Sequence, residues 1–143
     1  MNAIIEEIMA DVQTKGREIS LLISELSEFE DTYDSASTSA STDDRTVAAA
    51  FRDLVETLVE AESVIHFYNK KIRFEGYPNL QPNGRYTADG KELSSGSVIE
   101  VLDDVWGDGK SYQWRRTHIE YDNGYYAAGF AKQKLDELRV RVR

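Results

Sequence analysis

The chain has no cysteine, which excludes disulfide staples and thiolate metal sites and fits a reducing, cytoplasmic setting. Its two histidines, His66 and His118, stand far apart and give no metal-ligand spacing. The only prolines, Pro78 and Pro82, fall past the middle, so nothing before them forbids long helices. No apolar run approaches the roughly 20 residues of a membrane-spanning helix. Glu6 and Glu7 occupy the stretch where a secretory leader would need lysine or arginine, so the expectation is a soluble chain without membrane contact. Phosphate-cradling glycine loops and nucleophile elbows are missing too. Gly107-Asp108-Gly109, although Lys110 and Ser111 follow it, has no helix after it and reads as a turn. These absences point to a chain that is no enzyme and needs no cofactor.

What is present begins with periodicity. Val47, Phe51, Leu54, Leu58, Ala61, Ile65, Tyr68 and Ile72 recur at alternating steps of four and three, the heptad pattern of a helix with one apolar seam. An earlier segment repeats it at Ile5, Ile8, Val12, Ile19, Leu22, Leu26, Phe29 and Tyr33, with Lys15 the one polar residue in register. Lys15 either sets register or snorkels at the margin. Helices over about 3–33 and from about 43 to Phe74 would hide their seams against each other as an antiparallel hairpin. Between them, Asp34 to Thr42 is a low-complexity tract too polar to pack, expected to be a mobile loop. Thr42, Asp43 or Asp44 would cap the second helix, and Gly76 would close it in a left-handed conformation. Further apolar residues at Ile4, Ile23, Val55, Val59 and Val64 leave a second partial stripe. Either the rest of the chain or a second copy covers it, and a homodimer through the helices is the favoured expectation.

Charge divides the chain. Residues 1–62 hold 15 Asp or Glu against 4 Lys or Arg, a balance of −11, and residues 63–143 hold 11 against 13, a balance of +2, within a total of −9. An acidic helical face makes direct nucleic-acid binding an unfavoured reading, because phosphate affinity needs cations. Glu25, Glu28, Glu30, Asp31, Asp53, Glu56 and Glu60 could instead meet a protein partner whose basic surface normally holds nucleic acid. The alternative is a solvated face that keeps the chain in solution.

From Gly76 onward the character changes to short β-branched and aromatic runs between Asn83-Gly84, Asp89-Gly90, Ser94-Ser95-Gly96 and Asp122-Asn123-Gly124 turns. Strands are expected near Tyr86, over Lys91–Leu93, Ser97–Leu102, Ser111–Tyr121 and Tyr125–Phe130, then a helical turn within Lys132–Glu137. The final LRVRVR alternates valines inward and arginines outward. His118 shares a strand face with Trp114, Arg116 and Glu120 at steps of two. That row, with Trp106, Tyr121 and Tyr125, could seat an extended peptide or a flat ligand, or be an ordinary solvent face. The ladder Arg139, Arg141 and Arg143 is the one basic cluster, or an edge guarded against aggregation.

The fold class read from this order is α+β: an acidic, coiled-coil-like two-helix hairpin over 1–75, then a five-stranded SH3-like β-barrel over 76–143. The runs GRYTADGKELSSGSVIEVL, WRRTHIEYDNGYYAAGF and LDELRVRV resemble an uncharacterised small β-barrel domain family of unknown function, found in short bacterial, phage and mobile-element proteins. The resemblance covers about 83–143 and implies no catalytic residue. With the anionic helices, it leads to the expectation of a non-enzymatic interaction protein. In its sharper form this is a phage or mobile-element inhibitor of a host nucleic-acid-handling defence protein, anti-CRISPR-like and mimicking nucleic acid. A small-ligand or nucleotide-sequestering protein and a nucleic-acid-binding barrel are the alternatives.

Overall fold

A computed structural model describes residues 2–36 and 40–143, with the backbone alone for 32–36. It divides into two compact units, Met1–Lys70 and Lys71–Arg143.

The first unit is two helices, α1 (Ala3–Ala36) and α2 (Thr42–Asn69). They run antiparallel: Gly16 meets Ile65, Ser20 bonds Glu62, the Phe29 and Phe51 rings stand edge to face at 5.4 Å, and Arg52 Nε reaches Glu30 at 2.5 Å. Sequence numbers rise along one helix as they fall along the other. The helices approach closely at Gly16, where a Cβ would lie 3.0 Å from Ile65 Cγ2. Lys15 is exposed and bonds Glu18 at 3.1 Å.

Three helix boundaries differ from expectation. The first helix continues to Ala36, and the remainder of the loop expected at 34–42 lies largely outside the described residues. The cap of α2 is Ser41, not Thr42, Asp43 or Asp44. Its hydroxyl accepts from Asp44 N at 3.1 Å while the Asp44 carboxylate accepts from Ser41 N at 2.9 Å, a reciprocal capping box. The Ser41 hydroxyl, which also donates to the Asp44 carboxylate at 2.7 Å, and the Ser41 amide hold the Asp44 carboxyl below its ordinary range. At the other end α2 stops at Asn69 because Lys70 turns extended. Phe74 and Gly76, expected to finish the helix, form a strand instead.

The second unit is eight short antiparallel strands: β1 (Phe74–Gly76), β2 (Asn79–Leu80), β3 (Tyr86–Ala88), β4 (Lys91–Leu93), β5 (Val98–Asp104), β6 (Tyr112–Tyr121), β7 (Tyr125–Ala127) and β8 (Val140–Val142). They make a five-stranded sheet in the order β1-β8-β5-β6-β7 and a three-stranded sheet β2-β3-β4. The fold is therefore α+β with a mostly antiparallel β region. No closed barrel is seen, and eight strands stand where five were expected. The turn signals are realised: Asp89 and Gly90 both take positive φ, 55° and 67°, between β3 and β4, the geometry a two-residue hairpin requires. A 3-10 turn at Leu135–Glu137 precedes β8.

This unit owns a core. Ile99, Val101, Ile119, Ala127, Leu135 and Val140 are fully buried, joined by Tyr86, Ala88, Leu93 and Leu138. Val140 packs inward as its alternation predicts. In the hairpin, by contrast, the only buried hydrophobic side chains among the described residues are Ala48 and Phe67.

Candidate functional site

Strand alternation decides what the five-stranded sheet presents on the face away from Ile99 and Val101. Register places Glu75 opposite Arg141, Arg141 opposite Glu100, and Glu100 opposite Arg116. Four strands thus carry a row of alternating charge. Beside it on β6 lie Trp114 and His118, opposite Leu102 and Val98, so the expected grouping of Trp114, Arg116, His118 and Glu120 on one face is present.

The row is neutralised from within. Glu75 takes Arg139 Nη2 at 2.6 Å and Arg141 Nε at 2.8 Å, and Arg143 Nε reaches Glu100 at 2.9 Å with Nη2 at 3.3 Å from its second oxygen. Glu100 is 2 % exposed, and a carboxylate buried so deeply is held only where cations and hydrogen bonds replace its water. Hydrogen bonding from Arg141, with the charges of Arg141 and Arg139, holds the Glu75 carboxyl below its usual value. The Arg141 guanidinium lies 4.1 Å from the Trp114 ring centroid, a cation–π contact on the indole that could have stacked a ligand. Further along, His118 Nε2 and Glu120 are 2.9 Å apart, and the Tyr126 hydroxyl donates to Glu120 at 2.5 Å. Those bonds, Tyr126 first, lower the Glu120 carboxyl, and the same bond raises the Tyr126 hydroxyl.

The other predicted aromatics lie elsewhere. Trp106, 79 % exposed, sits in the turn after β5. Tyr121 and Tyr125 stack edge to face at 4.9 Å on the opposite face of β6 and β7 from Trp114. A groove of about 630 Å³ does form where Tyr77, Tyr112, Phe130 and Leu138 meet Asp104 and Glu137, a site the sequence reading missed. One Asp104 carboxylate oxygen is buried there without a hydrogen-bond partner, while the other accepts from Gly109 N at 2.7 Å. The Gly107–Gly109 segment is the turn expected of it, wired by Asp108 to the amides of Lys110 and Ser111 at 2.8 Å.

On the hairpin, Glu25, Glu28, Asp31, Asp53, Glu56 and Glu60 are exposed. Helical spacing puts Asp53, Glu56 and Glu60 on the side of α2 away from α1, and Glu25 and Glu28 on the outward side of α1. Glu30 turns inward to Arg52. His66 lines a groove of about 350 Å³ with Arg17, Glu62 and Asn69. Among the described residues no group of three His, Asp or Glu could hold a metal, and no helix is long and apolar enough to cross a membrane.

Residues 79–142 are similar to a domain of unknown function, DUF5348. The DUF5348 match runs from β2 to β8 and leaves the hairpin and β1 outside it. No curated protein and no solved structure matches the chain.

Proposed function

We propose that the protein is a non-enzymatic interaction protein whose acidic hairpin engages a basic protein surface of the kind that otherwise holds nucleic acid. One contrast carries this reading. Arg115, Arg139, Arg141 and Arg143 of the sheet are paired with carboxylates of the same sheet, whereas residues 1–70 hold 15 Asp or Glu against 5 Lys or Arg, with Asp53, Glu56 and Glu60 on the outward side of α2. Asp53, Glu56 and Glu60, at steps of three and four, stand about 5–6 Å apart from one to the next, a repeated anionic row comparable to a phosphate backbone. An inhibitor of a nucleic-acid-handling defence protein, anti-CRISPR-like, is the specific role such a surface suits. In the same reading the β unit is an opened relative of the SH3-like barrel, supported by its strand order and the 3-10 turn before β8. Nucleotide sequestration fits less well, because Arg139, Arg141 and Arg143 do not converge unpaired on a pocket.

The test is capture from a lysate of the source cell by immobilised chain, with elution by duplex DNA. The proposal expects a basic nucleic-acid-binding protein that duplex DNA displaces. It also expects binding to weaken steeply as salt rises from about 0.05 to about 0.5 M. The triple variant Asp53→Lys, Glu56→Lys, Glu60→Lys should lose the partner. Equal capture by that variant, insensitive to salt, rules the acidic face out.

A further inference from the structure

The hairpin leaves half of its heptad pattern uncovered. Ile65 of α2 packs on Gly16 of α1, and Leu58, Ile19 and Leu26 in the same rows are half-buried, while Ile5 and Val12 at the start of α1 are 49 % and 41 % exposed. The complementary positions, Ile8, Leu22 and Phe29 on α1 with Val47, Leu54 and Tyr68 on α2, remain 36 % to 57 % exposed, Phe29 with its ring edge-on to Phe51 and Tyr68 with its ring on Phe67. Each set repeats every seven residues, with Lys15 and Ala61 filling the remaining steps. Seven-residue spacing keeps a row straight along one side of a helix. Because the helices are antiparallel and both rows sit on the same side of their mutual contact, the two rows lie on one face of the hairpin.

We infer that this face is the interface with a second copy of the chain, giving a four-helix bundle around a two-fold axis. Three observations single out that occupant. First, the face extends from Ile8 to Phe29, about 30 Å at 1.5 Å per residue, and is two helices, roughly 20 Å, wide. That is of the order a specific dimer buries, about 800 Å² on each partner. Second, the rows continue the packing pattern already used between α1 and α2. Their levels interleave, so that the small Ala61 falls beside Leu22 and Leu54 falls near Phe29, as knobs entering holes require. Third, the margins specify the arrangement. Three residues beyond each step, α1 carries Asp11, Glu18 and Glu25, whereas α2 carries Ala50, Thr57 and Val64. Packing α1 against α1 of the second copy would set carboxylates against carboxylates. Packing each α1 beside the partner's α2 sets them against an uncharged margin and places like helices on the diagonal. This inference does not depend on what the outward acidic faces bind.

Light scattering on the full chain should give twice the 16.3 kDa of one copy, and the melting temperature should climb with protein over roughly a hundredfold range of concentration. A 16.3 kDa particle with a concentration-independent melt overturns the inference. Leu22→Glu with Leu54→Glu should abolish the dimer, while Leu21→Glu, on the outward side of α1, should keep it. A double-Glu variant that stays dimeric shows that this face is not the interface. For the arrangement, the cysteine-free chain allows Glu25→Cys with Thr57→Cys, which should oxidise to a covalent dimer while Glu25→Cys alone does not. The opposite pattern overturns the placement of α1 beside the partner's α2.

Discussion

Single residues carry much of the specificity here, and two of them are unusual for their elements. Gly16 sits inside a long helix, where glycine costs about 1 kcal/mol relative to alanine. The close approach of Ile65 is what offsets this, since a Cβ at position 16 would stand 3.0 Å from Ile65 Cγ2. Gly16→Leu should therefore splay the helices and cost about 1–3 kcal/mol, read as a lower far-ultraviolet melting temperature. Ile65→Ala in that background should recover part of the loss, and a purely additive double mutant would show that the contact is not the cause. Glu100 is the second case. Removing one member of a buried ion pair strands the other, so Glu100→Ala should destabilise by about 3–5 kcal/mol. Arg143→Ala should cost less, because Arg141 and Arg116 flank Glu100 in register on β8 and β6. Urea midpoints for the two variants give the comparison.

At the scale of elements, the outward sheet face is a set of hydrogen-bonded charges whose protonation can be read as stability. Glu75 and Glu120 have carboxyls lowered from 4.5 by Arg141 and by Tyr126. A carboxylate lowered in the folded state adds stability above its unfolded value, and that stability is lost as pH falls through the folded value. Tyr126, raised from 10.0 by Glu120, adds stability below its unfolded value that is lost as pH rises through the folded one. Thermal melts should therefore weaken below about pH 4.5 and again above about pH 10, and Glu75→Gln should shrink the acid limb alone. An acid limb unchanged in Glu75→Gln would mean that its arginine contacts do not form in solution. These elements were legible in the sequence to different depths. The hairpin, the Asp89-Gly90 turn, the long β6 and the inward Val140 followed from periodicity and turn chemistry, which are local. The end of α2 did not, because Ile72 keeps the heptad step while Lys70 leaves the helix and the chain from Phe74 pairs with β8, some 65 residues away. The same long-range pairing hid the neutralisation of the arginine ladder: Glu75 and Glu100 meet Arg139, Arg141 and Arg143 only through strand order. A glutamate inside the apolar run VIEVL was the available signal for Glu100.

Across the whole molecule, the two units differ in how their stability is built. Residues 71–143 bury Ile99, Val101, Ile119, Leu135 and Val140 completely, enough for a compact core of their own. In the hairpin the buried hydrophobics among the described residues are Ala48 and Phe67, and isolated helices gain little from propensity without a packed face. Two expectations follow for the separated units. A fragment of 71–143 should give dispersed amide resonances and a cooperative melt at any concentration. A fragment of 1–70 should be weakly helical when dilute and gain helix as concentration rises, because its heptad face orders only when covered by another. Circular dichroism over a dilution series distinguishes the two behaviours. A 1–70 fragment fully helical and monomeric when dilute would mean that the seam between α1 and α2 is sufficient by itself, and the exposed heptad rows would then have no energetic need of a partner.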